Sequence, residues 1–249
     1  MTVTAVSLET EILAALDTVA DPELDQPITE LGFVRSVSIA DDGVTVHLQL
    51  PTAFCSPNFA YLMTSDAYDA LRALDGIGEV RVLLDDHHDS DKINEGLAAE
   101  AGYVGTFGAE AEESLDELRT TFLRKAHTAA MERCLTELLG VDPQRDVASL
   151  GRVRLHELPD NQTTAALLRR RAALGLPVAP TELVMVDHEG HGYAPDDVSL
   201  ALRRARSTRI SIDGNAHFCR GLLRTRYPEA DHAETAAAFV PLSALTVTH

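Results

Sequence analysis

The chain of 249 residues is long enough for one large domain or two modest ones, and its hydrophobic content of 45% is enough to build packed cores. Its formal net charge of −18 argues against nucleic acid or an anionic membrane as a partner. Since no apolar run is long enough to span a bilayer and the first residues do not resemble a secretory signal, we expect a cytoplasmic protein.

Alternating apolar and polar residues predict a small sheet near the N-terminus. Residues 33–39 and 44–50 both alternate in this way and are separated by a turn at 41–43, which predicts a β-hairpin. A third strand is expected over 80–84.

Two helices frame this hairpin. Ser7 is the expected N-cap of the first, which must end before Asp21 because the residue before a proline is pushed out of the α region. The second is expected to begin at Pro57, after Ser56. The resulting α-β-β-α-β order predicts an α/β (α+β) domain over residues 1–86, with a three-stranded sheet and helices on one face.

The rest of the chain is predicted to form a linker and a second domain. Residues 87–110 are acidic and Gly-rich and are taken as the linker, with room for one short helix, and 111–249 as the second domain, of α/β type. This domain begins with one long helix over 112–139, which places Cys134 in a core. The remaining expected elements are strands at 153–158, 183–187 and 209–213 and helices at 163–174, 196–206 and 216–227.

Cys55 is the candidate reactive group of the first domain. It lies between a predicted strand and the start of a predicted helix, where the partial positive charge of the helix end favours the thiolate. Asp21 and Glu23 lie in the other loop that reaches this edge of the sheet, and a thiolate with two carboxylates suits a transient iron site. The residues alone leave open a second interpretation, in which Cys55 is a small buried side chain and Asp21 caps a helix end.

Three segments resemble the iron–sulfur assembly domain family that includes the SufT and PaaD proteins. They are Asp21-Pro-Glu-Leu, Ile28-Thr-Glu-Leu-Gly-Phe-Val and Leu50-Pro-Thr-Ala-Phe-Cys55. The resemblance covers residues 7–86 and places the acidic pair of the family on Asp21 and Glu23 and its loop threonine and cysteine on Thr52 and Cys55. The chain departs from the family at Ser56, where a proline is usual, and it has neither tryptophan nor a cysteine-rich zinc module.

The resemblance implies a non-enzymatic maturation factor for metal centres. Such a factor holds iron or an iron–sulfur cluster transiently and delivers it to an apo-metalloprotein client. PaaD-like members serve a diiron oxygenase, which makes a soluble diiron monooxygenase the first candidate client. The second domain would recognise that client, and the sequence leaves room for a homodimer.

Other histidines and cysteines are secondary metal candidates. His87 and His88 lie in an acidic stretch that is more simply a solvated loop. In the second domain, candidate ligands follow two predicted strands: His188, His191, His217 and Cys219. If those strands were neighbours, the four side chains could converge on one metal, with Asp187 and Asp213 orienting the imidazoles. The simpler interpretation is that His217 and Cys219 pack a helix start and that 187–191 is an exposed turn.

Two alternatives to the maturation factor therefore remain open at this point. One is a binding module or chaperone that stabilises an oxygenase by contact and holds no metal. The other is a metal-dependent enzyme built on the histidine loops of the second domain.

Overall fold

The computed structural model describes residues 2–111 and 115–228. The chain divides into two compact units, one containing the residues up to Leu115 together with those from Ala216 onward, and the other Asp116–Asn215. We call these unit 1 and unit 2. The α+β fold class is confirmed, with the three-stranded sheet near the N-terminus followed by helices.

Unit 1 contains the predicted hairpin and its flanking helices. Its elements are α1 (Thr2–Asp17), β1 (Ala20–Asp21), β2 (Gln26–Pro27), β3 (Val34–Ala40), β4 (Gly43–Gln49), α2 (Pro57–Arg72), β5 (Glu79–Asp85), α3 (Ser90–Ala98) and α4 (Gly102–Phe107). The final turns of the helix Val198–Arg226, the last one among the described residues, also belong to it from Ala216 onward. The first helix begins before Ser7, so the predicted N-cap there is wrong.

The main sheet has the order β3-β4-β5, with β3 antiparallel and β5 parallel to the central strand. The turn of the hairpin supports the start of β5, because the N–H of Glu79 donates to the carbonyl oxygen of Asp42 at 2.8 Å. Gly43 and Gly78 make this approach possible. A Cβ at Gly43 would lie 2.0 Å from the Glu79 carbonyl oxygen, and a Cβ at Gly78 would lie 2.4 Å from that of Asp42.

The predicted linker at 87–110 is instead part of the packed structure of unit 1. Its segments α3 and α4 are helical, and four of their side chains are buried in the core: Ile93, Leu97, Tyr103 and Phe107. The acidic residues of this segment lie on the outer faces of short amphipathic helices. Composition alone does not show which residues are buried, so the segment was predicted to be a linker.

Unit 2 is helical rather than α/β. Its elements are α5 (Leu115–Val141), which begins at the unit boundary, short 3₁₀ turns at Val147–Arg152 and Leu155–Glu157, α6 (Gln162–Ala173) and most of α7 (Val198–Arg226). The predicted start of the long helix, 112–114, lies outside the described residues. Cys134 is buried in the core of this unit, as predicted, and burial raises the pKa of its thiol to about 12.

The three strands predicted for unit 2 are wrong. The described residues 153–158 and 183–187 make only two isolated β-bridges, and 209–213 lies inside α7. In a strand Ile210 and Ile212 would share one face, but here Ile212 is buried while Ile210 is 57% exposed. The apolar spacing from Leu202 onward follows the helical period, which overrides the short alternation.

None of the helices among the described residues combines the length and the apolar character that crossing a membrane requires.

Candidate metal site around Cys55

Asp21 is the last residue of β1 and begins the tight turn that follows this strand. Its side chain is buried, and Oδ1 accepts hydrogen bonds from the backbone N–H groups of Glu23 and Leu24, each at 2.9 Å. Burial raises the pKa of Asp21 to about 6, although both backbone hydrogen bonds act to lower it. The carboxyl group therefore holds its proton more tightly than an ordinary aspartate does, and a cation bound beside it would displace that proton.

Cys55 lies in the loop between β4 and α2, beside Thr52. The Thr52 hydroxyl lies 3.6 Å from Sγ of Cys55 and accepts a hydrogen bond from the backbone N–H of Phe54 at 3.1 Å. In the contact between the hydroxyl and the sulfur, either group can be the donor. The structure thus places the threonine and the cysteine that the family resemblance singles out in contact with each other.

His87 positions the Cys55 loop rather than offering a free ligand. It is buried, with Nε2 2.9 Å from the carbonyl oxygen of Cys55, and Nδ1 accepts from the N–H of Asp89 at 3.1 Å. These two partners assign the ring proton to Nε2. The backbone of the exposed His88 also holds the Cys55 loop, since its N–H donates a hydrogen bond to the carbonyl oxygen of Ala53 at 2.9 Å.

A small cavity of about 150 Å³ joins the two loops. Asp21 and Glu23 line it from one side and Cys55 from another, so three of the predicted site residues meet there. Much of the remaining wall is apolar, including Phe33 and Phe59. A pocket that offers carboxylate and thiol donors against apolar walls suits a borderline metal such as iron, because both ligand types are available and solvent is partly excluded.

Cys219 also lines this cavity, which the sequence did not predict. Its thiol is partly buried, and burial raises its pKa to about 11, with a further contribution from the nearby carboxylate of Asp21. The only feature of the sequence that indicates a packed position for Cys219 is the helical period, because Ala216, Cys219 and Leu223 are spaced three and four residues apart. Nothing in that spacing identifies the element against which the face packs.

The secondary metal site predicted for the C-terminal half rests on strands that do not exist. Residues 213–219 lie within α7, where His217 is exposed and Cys219 lines the Cys55 cavity instead. His188 and His191 belong to unit 2, whereas His217 and Cys219 belong to unit 1.

A different trio forms around His191. Among the described residues, one set of three histidine, cysteine or carboxylate ligand atoms lies within 4.8 Å of one another, and it comprises Asp187, Glu189 and His191. Asp187 Oδ1 also accepts from the N–H groups of Glu189 and His191, both at 2.9 Å. Because Glu189 and His191 are exposed and these bonds account for the turn, the trio is explained as a local loop structure.

Comparison with known proteins identifies the first third of the chain. The model of a family described as iron–sulfur cluster assembly protein matches residues 9–84. An uncharacterized protein of Methanocaldococcus jannaschii is 34% identical over 88 residues, which are 35% of this chain and 90% of that protein.

Proteins named iron–sulfur cluster carrier protein from Mycobacterium tuberculosis and Mycobacterium bovis are 40% identical over 79 residues, or 31% of this chain. The matched segment spans only 20% of the length of these two relatives. No solved structure matches the chain.

Proposed function

The chain belongs, through residues 9–84, to the iron–sulfur cluster assembly protein family, and from that premise we propose that it takes up iron or an iron–sulfur cluster as cargo and delivers it to an apo-enzyme. The observation that carries the proposal is the cavity in which Cys55, Asp21 and Glu23 meet. Thiolates are the usual ligands of iron–sulfur clusters, and carboxylates bind iron before sulfide is present.

The geometry of the donors supports temporary rather than permanent binding. Cys55, Asp21 and Glu23 line one cavity, yet they do not form a set of three ligand atoms within 4.8 Å of one another among the described residues. Permanent metal sites hold their ligands closed around the ion. An open set of donors leaves coordination positions for the client, so the cargo can be handed over by ligand exchange.

The identity of the client is a further part of the proposal. A soluble diiron monooxygenase is the first candidate, by analogy with PaaD-like proteins, and recognition of that client is assigned to unit 2. The proposal also includes that the protein is cytoplasmic and that it has no enzymatic activity of its own.

A transfer experiment tests the function. The protein, loaded anaerobically with iron and sulfide, is mixed with an apo-ferredoxin, and loaded with ferrous iron alone it is mixed with the apo form of a diiron monooxygenase. We expect acceptor activation faster than with equal iron and sulfide in solution, and loss of that advantage in Cys55→Ala. The variant Cys134→Ala is the matched control, because Cys134 is remote in sequence and buried in the core of unit 2. Equal transfer by Cys55→Ala and wild type would refute the proposal.

One observation favours a second candidate function, that of a docking module without metal. Phe54, the residue before Cys55, is 82% exposed, and aromatic side chains so exposed are typical of binding surfaces. In that case Phe54→Ala would abolish co-elution with the apo monooxygenase in size-exclusion chromatography, whereas Cys55→Ala would bind and activate normally. The maturation proposal instead expects Cys55→Ala to bind the apo-enzyme but fail to activate it.

A further inference from the structure

We infer that Cys219, supplied by the last helix from outside the family segment, is a second thiolate ligand for the cargo held by Cys55. The inference rests on the proposed function, since it names a further ligand of the same site. It begins from the cavity, where Cys55 and Cys219 both form part of the lining. The family match ends at residue 84, so Cys219 is an addition made by this chain.

Apolar packing fixes the helix that carries Cys219. Ala216 is fully buried and Leu223 is 6% exposed, and both belong to the core of unit 1. Leu223 lies against Gly32, where a Cβ would come within 3.2 Å of its Cδ2. Since Cys219 lies between these two anchors on the same helical face, its side chain faces the domain rather than solvent.

Two arginines that follow Cys219 in the helix connect it to the two loops of the site by hydrogen bonds. Arg220 donates to the side chain of Gln26, in β2, next to the turn that holds Asp21 and Glu23. Arg226 donates to the carbonyl oxygens of Leu50, at 3.0 Å, and of Asp86. The helix end is therefore attached both to the carboxylate turn and to the start of the Cys55 loop.

The chemistry of the cavity changes with a second sulfur. One cysteine and two carboxylates form a mainly oxygen site, which favours harder ions, whereas two thiolates favour soft and borderline metals and iron–sulfur clusters. As each sulfur binds the metal, its proton passes to solvent and the thiolate is neutralised by the cation, with no change in oxidation state. With both sulfurs bound, sulfide or a client cysteine would enter by replacing the carboxylates of Asp21 and Glu23, while Cys55 and Cys219 keep the cargo on the chain.

Cobalt(II) titration under anaerobic conditions tests the inference, because thiolate-to-cobalt charge-transfer absorption grows with the number of sulfurs bound. We expect the absorption of the wild type to fall to about half in Cys55→Ala and in Cys219→Ala, and to vanish in the double variant. Cys134→Ala should match the wild type. Cys219→Ser, which conserves the side-chain volume, is measured alongside, and circular dichroism verifies the fold of each variant.

The outcomes separate this inference from the function on which it rests. Full absorption in both Cys219 variants, with loss in Cys55→Ala, would overturn the second ligand and leave Cys55 as the sole sulfur of the site. No thiolate absorption in the wild type would overturn both. Half absorption in each single variant together with failed transfer to the apo-acceptors would retain the two-sulfur site but refute delivery.

Discussion

Arg226 donates a hydrogen bond to the carbonyl oxygen of Leu50 at 3.0 Å and thereby attaches the last helix to the residue that precedes the Cys55 loop. The same guanidinium also bonds the carbonyl oxygen of Asp86, just before His87, which in turn contacts the Cys55 carbonyl. The site at Cys55 is therefore supported by residues from outside the family segment of 9–84.

Removing this attachment should destabilise unit 1. Arg226→Ala leaves the carbonyl oxygens of Leu50 and Asp86 without their donor, and we expect it to lower the free energy of unfolding by about 1–3 kcal/mol. Urea denaturation measures the change. Arg203→Ala, an exposed arginine of the same helix, is the control and should change stability by no more than about 0.5 kcal/mol. Equal effects of the two variants would contradict a structural role for Arg226.

Two glycines of the turn before β5 should differ sharply on substitution. Gly76 and Gly78 both have positive φ, of 71° and 78°, so alanine is strained at either position by about 1–2 kcal/mol. Only at Gly78 does the new Cβ meet the backbone, 2.4 Å from the carbonyl oxygen of Asp42, whereas Gly76 faces open space. We expect the free energy of unfolding, measured by urea denaturation, to be lower in Gly78→Ala than in Gly76→Ala by about 1–3 kcal/mol. Similar values would show that β5 does not depend on this close approach.

The buried carboxylate of unit 2 is expected to contribute more to stability than a surface ion pair. Glu132 is fully buried and accepts from Arg206 at 3.2 Å, from Arg209 and from the hydroxyl of Thr136 at 2.9 Å. We expect Glu132→Gln to lower the free energy of unfolding by about 1.5–3 kcal/mol. The loss is no larger because both arginines remain partly exposed, so solvent screens their charge.

The control for Glu132 is Asp142→Asn, which breaks an exposed pair with Arg145 at 3.8 Å. It should cost less than about 1 kcal/mol. Thermal or urea denaturation compares the two variants, and a larger loss in Asp142→Asn would contradict the ranking.

The stability of unit 2 should fall in mild acid because of His127. This histidine is 1% exposed, its Nε2 has no hydrogen-bond partner among the described residues, and burial lowers its pKa from 6.5 to about 4. The unfolded chain therefore binds a proton that the folded chain does not, so stability is retained above pH 6.5 and lost as the pH falls towards 4, by up to roughly 3 kcal/mol.

His127→Leu removes this titration and should flatten the stability curve between pH 7 and 4. Urea denaturation at a series of pH values measures the slope. An unchanged slope in the variant would assign the acid sensitivity to other groups.

The elements predicted correctly are those whose pattern is local. The alternation over 33–50 specified β3 and β4, and the Ser-Pro start specified α2, because in each case the residues that determine the element lie within it. Thr52 and Cys55, which the family resemblance placed in one loop, lie 3.6 Å apart, and their role in a metal site stays a prediction.

The wrong predictions concern segments whose structure depends on contacts with residues that are distant in the sequence. The segment 87–110 looked like a linker, since only its packing against the unit 1 core shows why Ile93 and Phe107 are there. The alternation over 209–213 predicted a strand, but the longer helical period of α7 prevailed. Cys219 was assigned to another site, because sequence spacing cannot show that a helix 164 residues further along the chain ends beside Cys55.

The central claim is that Cys55 holds iron or an iron–sulfur cluster, and metal analysis with a visible spectrum tests it most directly. Wild type and Cys55→Ala are purified anaerobically and incubated first with ferrous iron and then with sulfide. We predict that the wild type binds iron and develops sulfide-dependent charge-transfer bands, and that Cys55→Ala retains the fold but loses much of both, keeping at most the part that Cys219 holds. Equal iron and equal bands in the two proteins, or no metal in either, would contradict the account.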